Sequence, residues 1–274
     1  MENTVGLSFS NNHCFITQFT RENKILSLTG VTSFGYVQDP LIAIQANIAA
    51  IKSFISTSTQ VILALPSNET LLKNIVVDAA LTDEEIIYHI HSQSLILFGY
   101  PTEQLCFDYE TLFTEENNRH IIVAACHVEK ISIYQNCFKE LKIPLNVIDV
   151  DVFSLLRITR LLTNQKDFIL LFQHNNHLLV ILTRDGKPLR SDTIHLTSPE
   201  VLAQLNSLCS VNDEIMAIIS DQAFKTHLQE FNFSYDELTI SSLFNFTIQN
   251  KSTLPNQALH PFFISMGAGF WSES

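Results

Sequence analysis

The sequence predicts an α/β protein with mixed sheets, built as two like domains with a smaller αβ insert in the first. The main observation is a repeated block of strand, polar turn, strand, charged turn and strand, which occurs at residues 5–28 and again at 168–194. Each block is followed by a helical pattern and then by a short apolar strand. An internal repeat of this length predicts two like domains that face each other across a cleft.

The N-terminal block is predicted to contain three strands, then a helix and a fourth strand. Its turns are recognisable because short polar or charged runs, at 11–13 and 21–23, separate the apolar runs. The predicted elements are the strands 5–9, 14–19, 24–28 and 61–65 and the helix 41–54.

The second block repeats this order, with a polar turn at 174–177 and a charged turn at 184–186. Ser198 is a residue type that caps helices and Pro199 suits the first helical position, so a helix is predicted to begin there. The predicted strands are 168–172, 178–182, 188–194 and 214–219.

Residues 66–144 are predicted to form the compact αβ insert. Thr82 and Glu85 have the spacing of a capping box and predict the start of a helix, which Gly99 is expected to end. A polar loop at 114–118 is predicted to be a solvated tip. The remaining predicted elements are a strand within 68–80, strands at 104–109 and 119–126, and an amphipathic helix at 128–141.

Residues 141–162 connect the insert to the second block. Pro144 interrupts regular structure, and an apolar strand at 145–150 then ends at Asp149 and Asp151. Asp151 is predicted to cap the following helix, because a carboxylate accepts bonds from unpaired amides at a helix start. The two aspartates would point to opposite faces of a continued strand, so we do not expect a paired-carboxylate site. The packing face of the helix is predicted to consist of Val152, Leu155, Leu156 and Thr159.

The domain assignment follows from the repeat. An apolar segment near the C-terminus is predicted to be a helix that packs back onto the first domain. The first domain is assigned residues 1–65, 145–165 and 259–274, the insert residues 66–144, and the second domain residues 166–258.

Composition narrows the class of protein. With 274 residues, 46% hydrophobic and 16% charged, the chain is long and apolar enough to bury a large core. Neither a signal peptide nor a transmembrane segment is expected, and the five scattered cysteines are expected to be reduced core residues in the cytosol. A net charge of −12 opposes binding to nucleic acid.

Short motifs in a fixed order resemble the PilM family of type IV pilus and competence assembly proteins, which have the actin-like fold. The resemblance covers nearly the whole chain, although each motif is weak by itself. The motifs are residues 5–10 (VGLSFS) at the phosphate loop, Leu65 with Pro66, residues 82–85 (TDEE), Asp108 with Tyr109, residues 123–125 (VAA), residues 148–151 (IDVD) and residues 266–269 (MGAG).

The departures from the family pattern imply a degenerate nucleotide cleft. Actin-like sites need an Asp in each phosphate hairpin to organise the metal and a Gly to let phosphates approach the backbone. Ser8 and Ser10 stand at these places in the first hairpin, and Phe172 and His174 stand there in the second. Phe172 is expected to fill the cavity instead. The degenerate cleft as a whole is predicted to involve Ser8, Ser10, Asn11, Phe172, His174 and Gly267.

These substitutions predict that nucleotide hydrolysis is lost, and we expect no cofactor and no enzymatic activity. The second domain is also expected to be trimmed, because only residues 198–209 separate its third strand from the next one. Pairs of histidines are expected to be turn or surface residues and not metal ligands, since a metal site needs three or four ligands on rigid elements. The pairs are His89 with His91, His120 with His127, and His174 with His177.

The resemblance implies a non-enzymatic cytoplasmic scaffold, peripheral at the inner membrane, which associates with the membrane only through its partner. That partner is expected to be the cytoplasmic tail of a PilN-like inner-membrane protein, bound in a groove between the first domain and the insert. Two alternatives are an actin-like ATPase with a divergent site and the cytoplasmic domain of a GspL-like type II secretion protein. Homo-oligomerisation through exposed strand edges is left open.

Overall fold

The structure is a computed structural model that describes residues 2–10, 12–22, 25–35, 40–56, 59–174, 176–198, 200–209, 214–219, 221–230, 233–239 and 256–271. The described strands are β1 (Glu2–Ser10), β2 (His13–Glu22), β3 (Ile25–Gly35), β4 (Thr59–Leu65), β5 (Leu71–Asp78), β6 (Leu105–Glu115), β7 (Asn118–His127), β8 (Val147–Val150), β9 (Ile169–His174), β10 (His177–Arg184), β11 (Lys187–His195), β12 (Ile215–Ile218) and β13 (Asp236–Glu237). The described helices are α1 (Pro40–Ala46), α2 (Ile48–Ser53), α3 (Asp83–Phe98), α4 (Val128–Glu140), α5 (Asp151–Leu162), α6 (Val201–Leu208), α7 (Gln222–Glu230) and α8 (Phe263–Gly269), with 3₁₀ turns at Ser67–Glu69, Thr102–Gln104 and Asn256–Phe262.

Two five-stranded sheets share one topology. The first has the order β3-β2-β1-β4-β8 and the second the order β11-β10-β9-β12-β13. In each sheet the three strands of the predicted block pair antiparallel, and the two later strands join in parallel. The predicted repeat and the α/β class with mixed sheets are therefore confirmed. The domain boundaries themselves stay a prediction.

The insert contains a three-stranded sheet of order β5-β7-β6, covered on one face by α3. The predicted capping box is present, because the Thr82 hydroxyl accepts a bond from the Glu85 amide and the Glu85 carboxylate accepts one from the Thr82 amide. Gly99 ends the helix with a φ of 78°, a conformation that side chains disfavour.

The C-terminal helix α8 packs against β1 and α5, as predicted. The Thr4 hydroxyl donates to the carbonyl of Gly269 over 2.8 Å. A Cβ on Gly6 would lie 1.8 Å from the Ser265 carbonyl oxygen, so the two backbones approach as closely as only glycine permits. Residues from both five-stranded sheets and from α8 form one continuous hydrophobic cluster, which includes Phe15, Phe172 and Phe262.

Two predicted helix starts and one predicted helix were wrong in detail. Asp151 is the first residue of α5 and does not cap it, because its carboxylate accepts a bond from the Ser67 amide instead. Helix α6 begins only at Val201, since the Ser198 hydroxyl forms a local turn with the Glu200 amide. Pro199 lies outside the described residues. The predicted helix 41–54 is two short helices, separated at Asn47, whose side chain donates to the Ala43 carbonyl.

The cysteines are free thiols, but one of them departs from the prediction of core positions. Cys14, Cys126 and Cys137 are buried, Cys209 is half-buried, and Cys106 is exposed on β6. None of the helices among the described residues has the length and hydropathy needed to cross a bilayer.

Candidate functional site

Aromatic side chains pack closely around Phe172, one of the predicted cleft residues. Phe172 is 1% exposed, and its ring stacks on that of His260 with centroids 5.4 Å apart and planes 9° apart. On the opposing sheet, Phe15 meets Phe262 edge to face at 5.1 Å. These residues belong to the hydrophobic cluster that joins the two five-stranded sheets. Phe172 thus occupies space in the hydrophobic core.

Ser8 is buried in β1 between Phe15 of β2 and Ala64 of β4. Its hydroxyl has no hydrogen-bond partner among the described residues. One hydroxyl in apolar surroundings cannot organise a metal ion, which requires several oxygen ligands. Of the other predicted cleft residues in the first hairpin, Ser10 is described only through its backbone, and Asn11 lies outside the described residues.

His174 and His260 are both largely buried near Phe172. Burial, together with the neighbouring His177 and His260, lowers the pKa of His174 to about 4. Burial likewise lowers the pKa of His260, whose Nε2 lies 3.1 Å from the Ile218 carbonyl oxygen. Both rings are therefore neutral at pH 7 and supply no positive charge for phosphates.

Gly267 was predicted as a cleft residue, but its position serves the packing of α8 on α5. A Cβ on Gly267 would lie 1.7 Å from the Ser154 carbonyl oxygen, so the two helices touch backbone to backbone. The Gly267 carbonyl accepts a hydrogen bond from Arg157 Nε over 3.1 Å. Within the described part of the chain, no group of three or more His, Cys, Asp or Glu side chains is arranged to hold a metal ion.

A groove of about 680 Å³ lies elsewhere, between the insert sheet and the first five-stranded sheet. Its size is within the range of about 300–1,000 Å³ that is usual for binding pockets. One wall comes from β6 and β7, the other from β8 and α5. The residues that line it are Leu65, Thr70, Cys106, Phe107, Asp108, Tyr109, Glu110, Ile122, Ala124, Ala125, Cys126, Ile131, Val147, Ile148, Asp149, Val150, Phe153, Leu156, Arg157, Arg160, Lys187 and Trp271.

The wall formed by α5 carries two arginines. Phe153, Arg157 and Arg160 are spaced i, i+4 and i+7, so they share one helix face. Arg157 forms an ion pair with Asp149, which also accepts a bond of 2.6 Å from the Ser154 hydroxyl. Burial lowers the pKa of Arg157 to about 10, which leaves the guanidinium protonated at pH 7.

The second five-stranded sheet closes one end of the groove. Lys187 of β11 donates to the Thr111 carbonyl and lies 3.3 Å from the Glu110 carboxylate, both on β6. On α5, Arg160 Nε donates to the Gly186 carbonyl over 2.9 Å. The groove therefore lies where all three sheets meet.

Charge in the groove lining is balanced, with three carboxylates and three cationic side chains. The whole chain has a net charge of −12, but this lining does not by itself attract a basic ligand. Half-buried apolar side chains such as Ala124, Val147 and Phe153 remain as its main contact surface.

A groove between the first domain and the insert was predicted, but its residues, Arg157 among them, were not named from the sequence. A signal was present, because Arg157 and Arg160 interrupt an otherwise apolar helix on the face of Phe153. Asp149 was given no role at a site, whereas it is the buried partner of Arg157. The histidine pairs belong to local contacts: His91 bonds to the Thr102 hydroxyl, and the ring of His120 stacks on Phe113.

Part of the chain is similar to a known protein family. Residues 36–169, just under half of the chain, match the family model described as type IV pilus assembly protein PilM. This segment includes the whole insert, β8 and α5, and thus nearly all of the groove lining. No curated protein sequence matches the chain.

Comparison with solved structures establishes the actin-like fold. A chain of the PilM–PilN type IV pilus biogenesis complex matches with a TM-score of 0.78 and 14% identity, over 97% of each chain. The cytoplasmic domain of EpsL, an inner-membrane component of the type II secretion system of Vibrio cholerae, matches with a TM-score of 0.58 and 8% identity. The match covers 97% of this chain and 94% of that one. A protein of Bacteroides thetaiotaomicron with an actin-like ATPase fold matches with a TM-score of 0.55 and 10% identity. The match covers 95% of this chain and 96% of that one.

Proposed function

We propose that this PilM-like chain is a non-enzymatic scaffold of a type IV pilus or DNA-uptake type assembly machine. In this role it binds the cytoplasmic tail of a PilN-like inner-membrane protein in the groove between the first domain and the insert. It would then be peripheral at the inner membrane and held there through its partner. The observation that carries the proposal is the open, largely apolar groove, which lies almost entirely within the segment that matches PilM.

The shape and chemistry of the groove suit a peptide. Apolar floor residues such as Ile122 and Ala124 offer sites for apolar side chains, while Arg160 and Asp108 at the rim can set the register through polar contacts. A solved relative is a PilM–PilN complex, which supports a PilN-like partner for this chain.

The ATPase alternative is disfavoured by the state of the cleft. Phe172 is packed where a metal-organising Asp belongs, and His174 and His260 are neutral at pH 7. A polyphosphate with its metal ion needs charged or backbone donors that these residues do not supply. We therefore propose that the chain kept the fold and lost the cofactor.

The GspL-like alternative has weaker support. The EpsL domain shares the fold at a TM-score of 0.58, against 0.78 for the PilM–PilN complex. The family match to PilM points the same way. Self-association through exposed strand edges stays a prediction, which sedimentation velocity over a range of concentrations would test.

The test is a pair of calorimetric titrations. The first uses a synthetic peptide with the sequence of the N-terminal cytoplasmic tail of the PilN-like protein from the same genome, and the second uses Mg-ATP. Saturable heat with the peptide and none with the nucleotide is the expected result. Saturable nucleotide binding in the micromolar range would contradict the scaffold proposal.

A matched pair of variants locates the binding site. Ala124→Phe fills the floor of the groove and is expected to weaken peptide binding at least about tenfold, because the added ring takes the space of the ligand. Val76→Phe is the control, since Val76 is 54% exposed on the same sheet and outside the groove. Equal affinities for the two variants would place the peptide elsewhere. Thermal melts of both variants verify folding.

A further inference from the structure

Strand β6 is at the edge of the insert sheet. Among the described residues it pairs only with β7, so its other side has no neighbouring strand. Five consecutive residues of β6, 106–110, line the groove. Because side chains alternate between the two faces of a strand, a consecutive run shows that the edge of the strand borders the groove as well as one face.

The hydrogen-bond pattern shows which residues of β6 face outward. The Ala79 amide, directly after β5, donates to the Asn117 carbonyl directly before β7, over 2.8 Å. In antiparallel sheets the bonded residues alternate, so the odd-numbered residues of β7 bond to β5 and its even-numbered residues bond to β6. Ala124 lies opposite Asp108, and the even-numbered residues of β6 therefore carry the ladder to β7.

Phe107 and Tyr109 consequently direct their amides and carbonyls to the free edge. Two independent contacts agree with this alternation. The Tyr109 amide is bonded to the carboxylate of Asp108 over 2.8 Å, and the Thr111 carbonyl accepts a bond from Lys187. Charged side chains at both positions protect the edge, in a way that soluble proteins commonly use to prevent unwanted strand pairing.

The side chains of these outward-facing residues lie on the opposite face of the sheet. The ring of Phe107 contacts that of His91 in α3 with centroids 4.7 Å apart. The Tyr109 hydroxyl donates to the carboxylate of Asp83, also in α3, over 2.7 Å. The part of Phe107 and Tyr109 that borders the groove is thus the main chain.

We infer that the ligand of this groove binds as an added β-strand along the free edge of β6. The inference rests on the proposed function and specifies the binding mode. An extended segment would bond to the main chain of Phe107 and Tyr109, and it would displace the Asp108 carboxylate from the Tyr109 amide. Alternate side chains of the segment would then lie on the apolar floor at Ile122 and Ala124.

An extended segment of the PilN-like tail fits this site better than a helix does. A helix satisfies its own backbone groups, so it would leave the outward amide and carbonyl of Phe107 unpaired beneath it. The charge of the lining is balanced, so main-chain bonds and apolar contacts provide the affinity. Strand β8 also borders the groove, but it has only four residues, against eleven in β6.

A scan of N-methylated peptides tests the binding mode. The synthetic tail peptide is prepared with a single N-methyl group at each successive position, and each form is titrated against the full chain. In an added strand only every second amide faces β6, so a loss of at least about tenfold is expected at alternate positions of the bound stretch, with little loss between them. A loss at every position, or at none, would overturn the proposal.

Amide hydrogen exchange read by NMR identifies the edge. On saturation with the unmodified peptide, exchange at the Phe107 amide is expected to slow at least about tenfold, since a new bond protects it. The Asp108 amide is an internal control, because it is already bonded to β7. Protection at Val147 or Asp149 in β8 with no change at Phe107 would overturn the proposal. Failure of the unmodified peptide to bind would overturn the proposed function too, whereas binding with a flat N-methyl scan overturns strand addition alone.

Discussion

Arg157 of α5 forms an ion pair with Asp149 at the end of β8, and the two side chains are 10% and 9% exposed. Asp149 also accepts from the Ser154 hydroxyl, and Arg157 also donates to the Gly267 carbonyl of α8. The pair thus joins β8, α5 and α8 at the base of the groove. Because both charges are nearly buried, each depends on the other for compensation.

Removal of one member is expected to destabilise the fold strongly. Arg157→Met leaves the Asp149 carboxylate buried without its partner and should lower the free energy of unfolding by about 3–5 kcal/mol. The double variant Asp149→Leu with Arg157→Met removes both charges, so its free energy of unfolding should fall much less. Urea denaturation of wild type, Arg157→Met, Asp149→Leu and the double variant measures these losses. A double variant that loses the sum of the two single losses would show that the pair is not coupled.

Asp151 is expected to make stability depend on pH. Burial raises its pKa to about 6, although bonds from Ser67 oppose the shift. A carboxyl group with a raised pKa adds stability that is fully present below its unfolded pKa and is lost as the pH rises through about 6. Between pH 4 and pH 7 the change should be about 2–3 kcal/mol.

The variant Asp151→Asn isolates this effect. His174 and His260 have lowered pKa values and act in the opposite direction, since their contribution is lost as the pH falls below about 6.5. They are the same in both proteins, so they cancel when the variant is compared with wild type at each pH. We expect wild type to gain stability relative to Asp151→Asn between pH 7 and pH 4. A difference that does not change with pH would contradict the assignment.

Restoring an aspartate in the second hairpin should not restore nucleotide binding. Phe172→Asp removes a ring from the core and buries a charge, so we expect a loss of at least about 3–5 kcal/mol in unfolding free energy. Phe172→Leu keeps the position apolar, so its unfolding free energy should fall less than that of Phe172→Asp. Denaturation and Mg-ATP titration of both variants provide the measurements. A stable Phe172→Asp protein that binds Mg-ATP would revive the ATPase alternative.

Gly267 is expected to tolerate no side chain. In Gly267→Ala the new Cβ would lie 1.7 Å from the Ser154 carbonyl oxygen, so α8 and α5 must separate. We expect a loss of about 1–3 kcal/mol or more, as for other overpacked sites. Gly35→Ala is the control, since its Cβ would meet its nearest neighbour at an ordinary 3.5 Å. Thermal denaturation compares them, and equal melting temperatures would refute the close helix contact.

Much of the architecture was predictable because its signals are local. The two strand blocks follow from polar turns between apolar runs, and the capping box at Thr82 and Glu85 specifies a helix start within four residues. The helix start at Ser198 was missed because a hydroxyl can form a local turn as readily as a cap.

The groove was not predictable residue by residue, because its walls are far apart in the chain. Ile122 and Phe153 line one groove, yet nothing in their local sequence indicates that they share it. Asp149 has the sequence context of a turn residue, and only the fold brings Arg157 against it.

The sequence by itself determined the elements, their order and the repeat, since turn chemistry and hydrophobic period act over a few residues. Tertiary structure decided which strand edge stays open, which carboxylates are buried and where the three sheets meet. Among the described residues, the outer edge of β6 is free because no other strand packs beside Phe107 and Tyr109. The pKa of Asp151 is raised because the fold buries it. Both are properties of the packed chain, because pairing and desolvation are set by neighbours that are distant in sequence.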